Sequence, residues 1–475
     1  MPQAWLVAWV ALVPLFVTFE RAAARLVTVA AVAYAVTLFE VDITTWVAPA
    51  SARYFGLEPW TASELTVTAM GMLAAGYGLV LGTAVRLHLR SGQRLGVVWY
   101  GAVWCLWEAS RMVVPPFLPT ACLGSSQRAA PGVLQLASVT GIAGVTALVA
   151  ATNAALARLW LARRPSPSLA VVAATILAVV VWGTARPERT TSAGPRVVLV
   201  DGDAAGVAES TLERYIAATR VVDAQHPALI IWPESALAVD PTRDAAAWDR
   251  LRGFVAELGI PVLTGGIGSA LDADGGLVLF NSVHFVRPQH GMLSYHKQLL
   301  IPLAESWPAV LGTPPAGLDP VAAGGDFTLF GDATTRFGPL ICFEITHARG
   351  AQALAARGAR FLVNVNNDVW FGDREEPHWV WALIRAIESG RAVARASNRG
   401  TSAIIDPFGR VIVSARATDG PMALAGTIPD PVDTIYLRTG EVFLPACLLV
   451  VALGLVPRRS PLKAPGSMGA TRRPP

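Results

Sequence analysis

Long apolar stretches separated by short charged ones dominate the first 185 residues of this chain. They fall at roughly 4–19, 26–48, 66–86, 95–117, 134–157 and 168–184, and once more, after a long interval, at 441–457. A helix needs about 20 apolar residues to cross the hydrocarbon of a bilayer, with a usable range near 17–25. The first and last runs sit at the low edge of that range and the others meet it, so the pattern predicts seven spans. Pro14 in the first run is compatible with a span, because neighbouring helices satisfy freed backbone groups in membrane proteins. From about 195 to 435 the pattern changes. Arg196–Val200, Ala228–Trp232, Val262–Gly265, Leu340–Phe343, Phe361–Asn364 and Ser402–Ile405 are short, branched and bounded by Gly, Pro or Asn, which predicts buried strands. Glu209–Gln225, Ala245–Leu258, Thr346–Arg357 and Val380–Arg395 carry the period of amphipathic helices. Strands alternating with helices predict an α/β layered domain.

Charge then orients the spans. Arg21 and Arg25 follow the first run, Arg86, Arg90 and Arg94 the third, and Arg158, Arg163 and Arg164 the fifth. Arg458, Arg459, Lys463, Arg472 and Arg473 follow the last. The intervening loops at 49–65 and 118–133 hold only Arg53 and Arg128. Positive loops stay cytoplasmic, so the C-terminus is expected inside, and the N-terminus and the large α/β segment outside. The expected organisation is a transmembrane bundle of about six helices at 1–187, a globular domain at 195–435 and a last membrane helix at 441–457. A disordered cytoplasmic tail is expected at 458–475. No basic residue occurs in the first twenty, which argues against a cleaved signal peptide.

Composition agrees with a membrane protein: 53% of residues are hydrophobic and 15% charged, against about 25% charged in an ordinary soluble domain. A net charge of +4 is too small to argue for nucleic acid. The four cysteines, Cys105, Cys122, Cys342 and Cys447, form no CxxC or His/Cys spacing, so neither a metal site nor a disulfide framework is expected.

Three stretches place reactive groups at predicted strand ends, where α/β sheets gather ligands. Ile231-Trp232-Pro233-Glu234 delivers a carboxylate, Tyr295-His296-Lys297 an ammonium, and Gly338-Pro339-Leu340-Ile341-Cys342 a thiol. A thiol attacks as thiolate and needs a base or cation beside it. Glu234 would take the proton, and Lys297 would hold the thiolate and then the oxyanion, with the backbone N–H after Cys342. Singly each residue is unremarkable; a cysteine at a strand end is more often core. Together they suffice for covalent acyl transfer.

The stretches IIWPESA (230–236), YHKQLLIPLAE (295–305), GPLICFE (338–344), LVNVNNDVWFG (362–372) and RAIESGRAVARASNRGTSAIIDPFGRV (385–411) resemble the carbon–nitrogen hydrolase (nitrilase) superfamily. Within it they resemble the bacterial apolipoprotein N-acyltransferase family, whose membrane part PGVLQLASVTGIAGVTALVAATNAALA (131–157) also resembles. The resemblance covers about 95–435 well and the first three helices loosely. It implies an αββα sandwich with Glu234 as base, Lys297 as oxyanion stabiliser and Cys342 as nucleophile. Glu305 and Glu344 fall at the family's additional glutamates, and Phe343 replaces its tyrosine. The implied reaction is ping-pong: a membrane phospholipid acylates Cys342, and a diacylglyceryl-cysteine apolipoprotein accepts the acyl group. It implies no cofactor or nucleic-acid partner, a monomer, and an inner-membrane location. The triad alone leaves open a membrane-tethered amidase that hands the same thioester to water. The stretch at 373–379 departs from the family pattern, and the N-terminus is expected to be one helix short.

Trp232, Trp307, Trp370 and Trp379 are candidates for a substrate or lipid rim, since Trp favours the membrane interface; core packing competes for Trp379 and Trp381. Asn364, Asn366, Asn367 and Asp368 are expected to form a self-bonded turn. His296 is expected to be solvated, Glu108 and Arg111 to pair at i,i+3, and Trp60 and Glu64 to lie near a lipid entrance.

Overall fold

The apolar runs can bury only against one another or in lipid; in the computed structural model of the chain they pack on one another and leave apolar side chains such as Leu26, Val80 and Val171 facing outward. It describes residues 4–42, 48–49, 52, 58–93, 95–113, 122–186, 194–202, 211–220, 227–307, 309, 312–314, 320–371, 377–417 and 420–457. The expected tail at 458–475 lies outside them. The N-terminal helices are α1 (Ala4–Val7), α2 (Val13–Arg21), α3 (Ala24–Asp42), α4 (Pro59–Arg90), α5 (Gly96–Val113), α6 (Pro131–Leu134), α7 (Ala137–Thr140), α8 (Ile142–Ala162) and α9 (Pro167–Thr184). Ala24–Val41, Met70–Arg90, Ile142–Ala162 and Pro167–Thr184 are long and apolar enough to cross a membrane.

Two runs depart from the single helices expected. The first is divided by a turn between α1 and α2. Asn153 of α8 reaches into that break: its amide donates to the Ala8 carbonyl (2.9 Å) and its Oδ1 accepts from Leu12 N–H (2.8 Å). This is how a membrane helix tolerates interruption. The run expected from 134 instead breaks at Gly141, whose φ of +67° is left-handed.

The α/β part contains β1 (Arg196–Asp201), β2 (Leu229–Ile231), β3 (Val262–Leu271), β4 (Leu277–Arg287), β5 (Gly291–His296), β6 (Phe337–Ile341), β7 (Phe361–Asn367), β8 (Ala392–Asn398), β9 (Thr401–Ile405), β10 (Val411–Arg416) and β11 (Met422–Thr427). They form two sheets, ordered β11-β1-β2-β3-β4-β5 and β10-β9-β8-β7-β6. Three neighbouring strands of each are parallel: β1, β2 and β3 in the middle of one, β6, β7 and β8 at one side of the other. Helices α10 (Thr211–Arg220) and α11 (Ala245–Leu258) pack on the first sheet, and α12 (Ala348–Ala356) and α13 (Pro377–Ser389) on the second. The main core lies between the sheets, with Leu199, Ile231, Ile341, Val363 and Ile404 among its residues. This is the αββα sandwich of the expectation. The helix predicted over 380–395 ends early, at Ser389, and residues 392–398 are strand β8.

Two short helices, α14 (Ile435–Thr439) and α15 (Phe443–Leu455), complete the chain. At one end of the bundle Arg158 meets Glu20 (3.3 Å), Gln93 donates to Glu20 (2.9 Å), and Ser91 donates to the Gly454 carbonyl (2.7 Å). At the other end the bundle meets the sandwich. Glu388 of α13 accepts the first free N–H of α8 at Ile142 (2.8 Å), and Gln135 donates to the Phe408 carbonyl (2.9 Å). The left-handed break at Gly141 lies beneath the Tyr436 ring, where an added Cβ would come within 2.6 Å of ring carbon.

Gly141→Ala therefore combines a strained φ with that clash and is expected to destabilise the junction by about 1–3 kcal/mol. The check is the thermal unfolding midpoint in detergent, expected to drop by several degrees; an unchanged midpoint contradicts this account.

Candidate active site

Each reactive group stands just past the end of a strand. Glu234 follows β2, in a turn that passes so close to β3 that a Cβ on Gly265 would lie 2.5 Å from the Glu234 Cα. Lys297 follows β5, and its N–H donates to the Asn281 carbonyl of β4 (2.8 Å). Cys342 follows β6 at φ +49°, a conformation rare for a residue with a side chain, and opens a one-turn 3₁₀ segment, Cys342–Thr346. All three are at least nine-tenths buried.

Around them the hydrogen bonds form one network. The Lys297 ammonium binds both oxygens of Glu305 at 2.8 Å and stands 3.9 Å from Glu234 Oε1. Asn281 spends both amide hydrogens on carboxylates, donating to Glu234 Oε1 and to Glu305 Oε1, each at 2.8 Å. Asn367 N–H donates to Glu234 Oε2 (2.9 Å), and Ile301 N–H to Glu305 Oε2 (2.8 Å). The Cys342 thiol adds to the interactions that lower the proton affinity of the Glu234 carboxylate.

Two carboxylates and one ammonium leave the pocket with one net negative charge if all are ionised. The electrostatics follow. Burial, then the Glu234 charge, hold the Cys342 thiol well above its ordinary range, with Lys297 opposing. Burial raises Glu234 above the usual carboxylate range, Lys297 pulls it down, and Glu305 raises it further. Burial alone would lower Lys297, but Glu305, Cys342 and Glu234 more than offset it and hold the ammonium charged. The resting site is thus a neutral thiol beside a carboxylate of raised proton affinity. The raised proton affinity of Glu234 brings it closer to that of the thiol than an exposed carboxylate would be, which favours it as a general base.

Glu344 stands apart from this cluster. One oxygen accepts from Tyr295 Oη and Gln298 N–H (both 2.7 Å) and the other from Ile341 N–H (2.8 Å). It ties the turn after Lys297 to the strand before Cys342, reaching the lysine through backbone rather than through its ammonium. Phe343 is buried, edge-on to His347 (5.0 Å between centroids) and to His378 (6.4 Å). His378 Nδ1 lies 3.9 Å from Cys342 Sγ.

The tryptophans divide. Trp232 is fully buried on the far face of its sheet, with Tyr215 and Phe254 beside its ring and Nε1 donating to Thr219 (3.0 Å), so it is core and not rim. An alternating strand sends neighbours to opposite faces. Trp307 is partly buried and donates to the Gly312 carbonyl (2.9 Å); Trp379 packs partly buried on the main core, and Trp381 lies inside it. The Trp370 side chain and residues 372–376 lie outside the described residues.

The asparagine run is also different from the expected turn. Asn364 and Asn366 are buried in β7, Arg395 of β8 donates to Asn364 Oδ1 (3.0 Å), and Arg395 pairs with Asp368 (2.5 Å). His296 is half-buried, stacked on Phe280 and bonded to Ser282 (2.7 Å). Glu108 accepts from Trp104 (3.0 Å), Leu123 N–H and Thr146 (2.9 Å), while Arg111 lies over the Phe39 and Trp107 rings. Asn281 and His378 were not singled out by the sequence; each is one polar residue in a stretch read for other reasons. Among the described residues no cluster of three or more His, Cys, Asp or Glu is placed to hold a metal.

Two family profiles match the chain: carbon–nitrogen hydrolase over residues 195–425, and the apolipoprotein N-acyltransferase N-terminal domain over residues 2–155. An apolipoprotein N-acyltransferase of Geobacter metallireducens is 27% identical, covering 94% of this chain and 89% of its own length. Another, of Gloeobacter violaceus, is 29% identical over 97% of this chain and 91% of its own. A solved amidase from Nesterenkonia sp. aligns with 55% of this chain and 98% of its own, at 17% identity and a TM-score of 0.40.

The network predicts a pH effect. A Glu234 acting as base must be deprotonated, so acylation of Cys342 is expected to be lost as pH falls through the raised pKa of Glu234. Glu305→Gln removes a charge that raises Glu234, so the acid limb is expected to move to lower pH while the rate falls. The measurement is the rate of Cys342 acylation by a p-nitrophenyl ester against pH, followed by mass. A limb that stays in place or moves upward contradicts the assignment.

Proposed function

We propose, for a chain that belongs to the apolipoprotein N-acyltransferases of the carbon–nitrogen hydrolase superfamily, that the acyl group passes from a membrane phospholipid to a lipoprotein N-terminus through a Cys342 thioester. The chain is an acyltransferase, and N-acylation of lipoproteins is the activity its relatives are named for. The observation that carries the finer reading is the convergence of the Cys342 thiol, the Glu234 carboxylate and the Lys297 ammonium at a buried site joined to a membrane bundle.

In the first half-reaction the Cys342 sulfur attacks an ester carbonyl of the phospholipid as Glu234 takes the thiol proton. The Lys297 ammonium, with the Phe343 backbone N–H, holds the oxyanion. Collapse forms the thioester, and Glu234 returns its proton to the departing lysophospholipid alkoxide. In the second, the free α-amine of a diacylglyceryl-cysteine attacks the thioester. Glu234 receives the amine proton and the sulfur leaves, regaining a proton from Glu234. No further group is required for either proton. Glu305 and Asn281 hold Lys297 and Glu234 at 3.9 Å, so the base is not consumed in a tight ion pair.

The bilayer supplies both substrates, which is what a bundle fused to the sandwich supports. The bundle end bearing Glu20, Gln93 and Arg158 is read as cytoplasmic, from its arginines, and the end against the sandwich as extracytoplasmic. The division is a bundle at 1–187, the catalytic domain at 195–435 and a last helix at 441–457, acting as a monomer in the inner membrane.

Detergent-purified protein incubated with phospholipid is expected to gain the mass of one fatty acyl group, removable by hydroxylamine and absent from Cys342→Ala. Chasing it onto a diacylglyceryl-cysteine peptide is expected to move the acyl group to the amine. Loss to water alone would make the protein a hydrolase, and no adduct in folded wild-type protein would overturn the thioester. Reporter insertions test sidedness: one near residue 190 should behave as external and one after 475 as cytoplasmic, the reverse overturning the topology.

A further inference from the structure

The acyl-transfer scheme leaves unused one titratable side chain in contact with the reacting sulfur. His378 stands in the first turn of α13, 7% exposed, with Nδ1 3.9 Å from Cys342 Sγ. Its ring is set edge-on against Phe371 (5.3 Å) and Phe343 (6.4 Å), the latter being the residue after the nucleophile. These two aromatic neighbours come from different segments, the 3₁₀ turn after β7 and the 3₁₀ turn after β6.

The charged groups acting on this imidazole are Arg395 of β8 and Lys297 beyond β5. Both are cations. Burial first, then Arg395 and Lys297, push its pKa down to about 3, so the ring is neutral at any physiological pH. It is therefore the reverse of an imidazole that shares a proton with a catalytic cysteine. A neutral imidazole has one N–H and one lone pair. In the proposed first half-reaction the thiol proton passes to Glu234, and the remaining need at the sulfur is a donor for the negative charge that develops. Lys297 favours that charge but is bound to Glu305 through both oxygens, so a hydrogen bond made directly to the sulfur adds to what it supplies.

We propose that His378, in its Nδ1–H tautomer, is a further catalytic residue: it donates to Cys342 Sγ and stabilises the thiolate, without acting as a base. The inference rests on Cys342 being the nucleophile.

The experiment is iodoacetamide alkylation of Cys342 in the full-length detergent-purified protein, read by peptide mass as a function of pH. His378→Leu is expected to slow alkylation about tenfold or more, the weight of a hydrogen bond to a charged group, and to move the inflection up by about one pH unit. His378→Asn keeps an N–H donor near the Nδ1 position and is expected to stay near wild type. His378→Gln carries its donor further out and should behave like the leucine variant. A folded leucine variant with wild-type rate and inflection overturns the proposal. If that variant does not fold, a glutamine variant alkylating as wild type overturns it equally. A wild-type inflection at about pH 6–7 that vanishes in the asparagine variant would make His378 a base and also overturn it. Failure of the acyl-transfer reading would appear elsewhere, as wild-type protein that alkylates normally but takes no acyl group from phospholipid.

Discussion

The chemistry of this site depends on one carboxamide. Asn281 holds two buried carboxylates side by side by giving one hydrogen to each, and Lys297 then neutralises half of the charge it has gathered. Taking such ions out of water costs several kcal/mol apiece, and each hydrogen bond to a charged group returns about 1.5–3 kcal/mol. The balance closes only because each carboxylate also receives a backbone N–H, from Asn367 or Ile301. The reactive groups are consequently rigid before substrate arrives, as electrostatic catalysis requires.

The sandwich exists, in functional terms, to present these donors from three directions. β4 supplies Asn281, the turns after β2 and β5 supply base and cation, and the end of β7 supplies the N–H that aims the base. Behind them the Arg395–Asp368 pair fixes the segment that begins just after Asn367. Glu344 does the same for the lysine turn by binding Gln298 and Ile341 backbone. Much of the buried polarity of the domain is scaffolding for four side chains.

The groups of the site were not equally visible in the sequence. Glu234 and Cys342 each follow a short apolar run, where a polar group has a physical reason to be noticed; Lys297 follows Tyr295-His296 in a polar stretch and stood out only in combination with those two. Asn281 lies inside β4, whose mixed alternation in a long hairpin gave no strand signal. His378 preceded a helix whose start the periodicity placed at Val380, and only tertiary folding brings it to the sulfur. Asn364 to Asp368 looked like a turn because their partner, Arg395, lay in a segment with helical period that folds as strand β8. Trp232 shows the opposite limit: two residues before Glu234 in sequence, it packs into the far face of the sheet with Tyr215 and Phe254. The membrane runs were legible as apolar lengths, but their interruptions were not, since the side chains that heal them, such as Asn153, come from other helices.

One contact sets the height of the reaction. His347, one residue beyond the turn that Cys342 opens, meets the carbonyl of Met112 at the end of α5, with 3.2 Å between Nε2 and oxygen. The Cys342 turn is thus tied to the bundle by a folded contact five residues from the thiol. An enzyme built this way keeps its sulfur at a constant depth relative to the lipid, so position along the bilayer normal becomes a coordinate of selection. A substrate whose acyl carbonyl rests at that level needs no lifting, and one carried free in water arrives without the anchorage the site is built around.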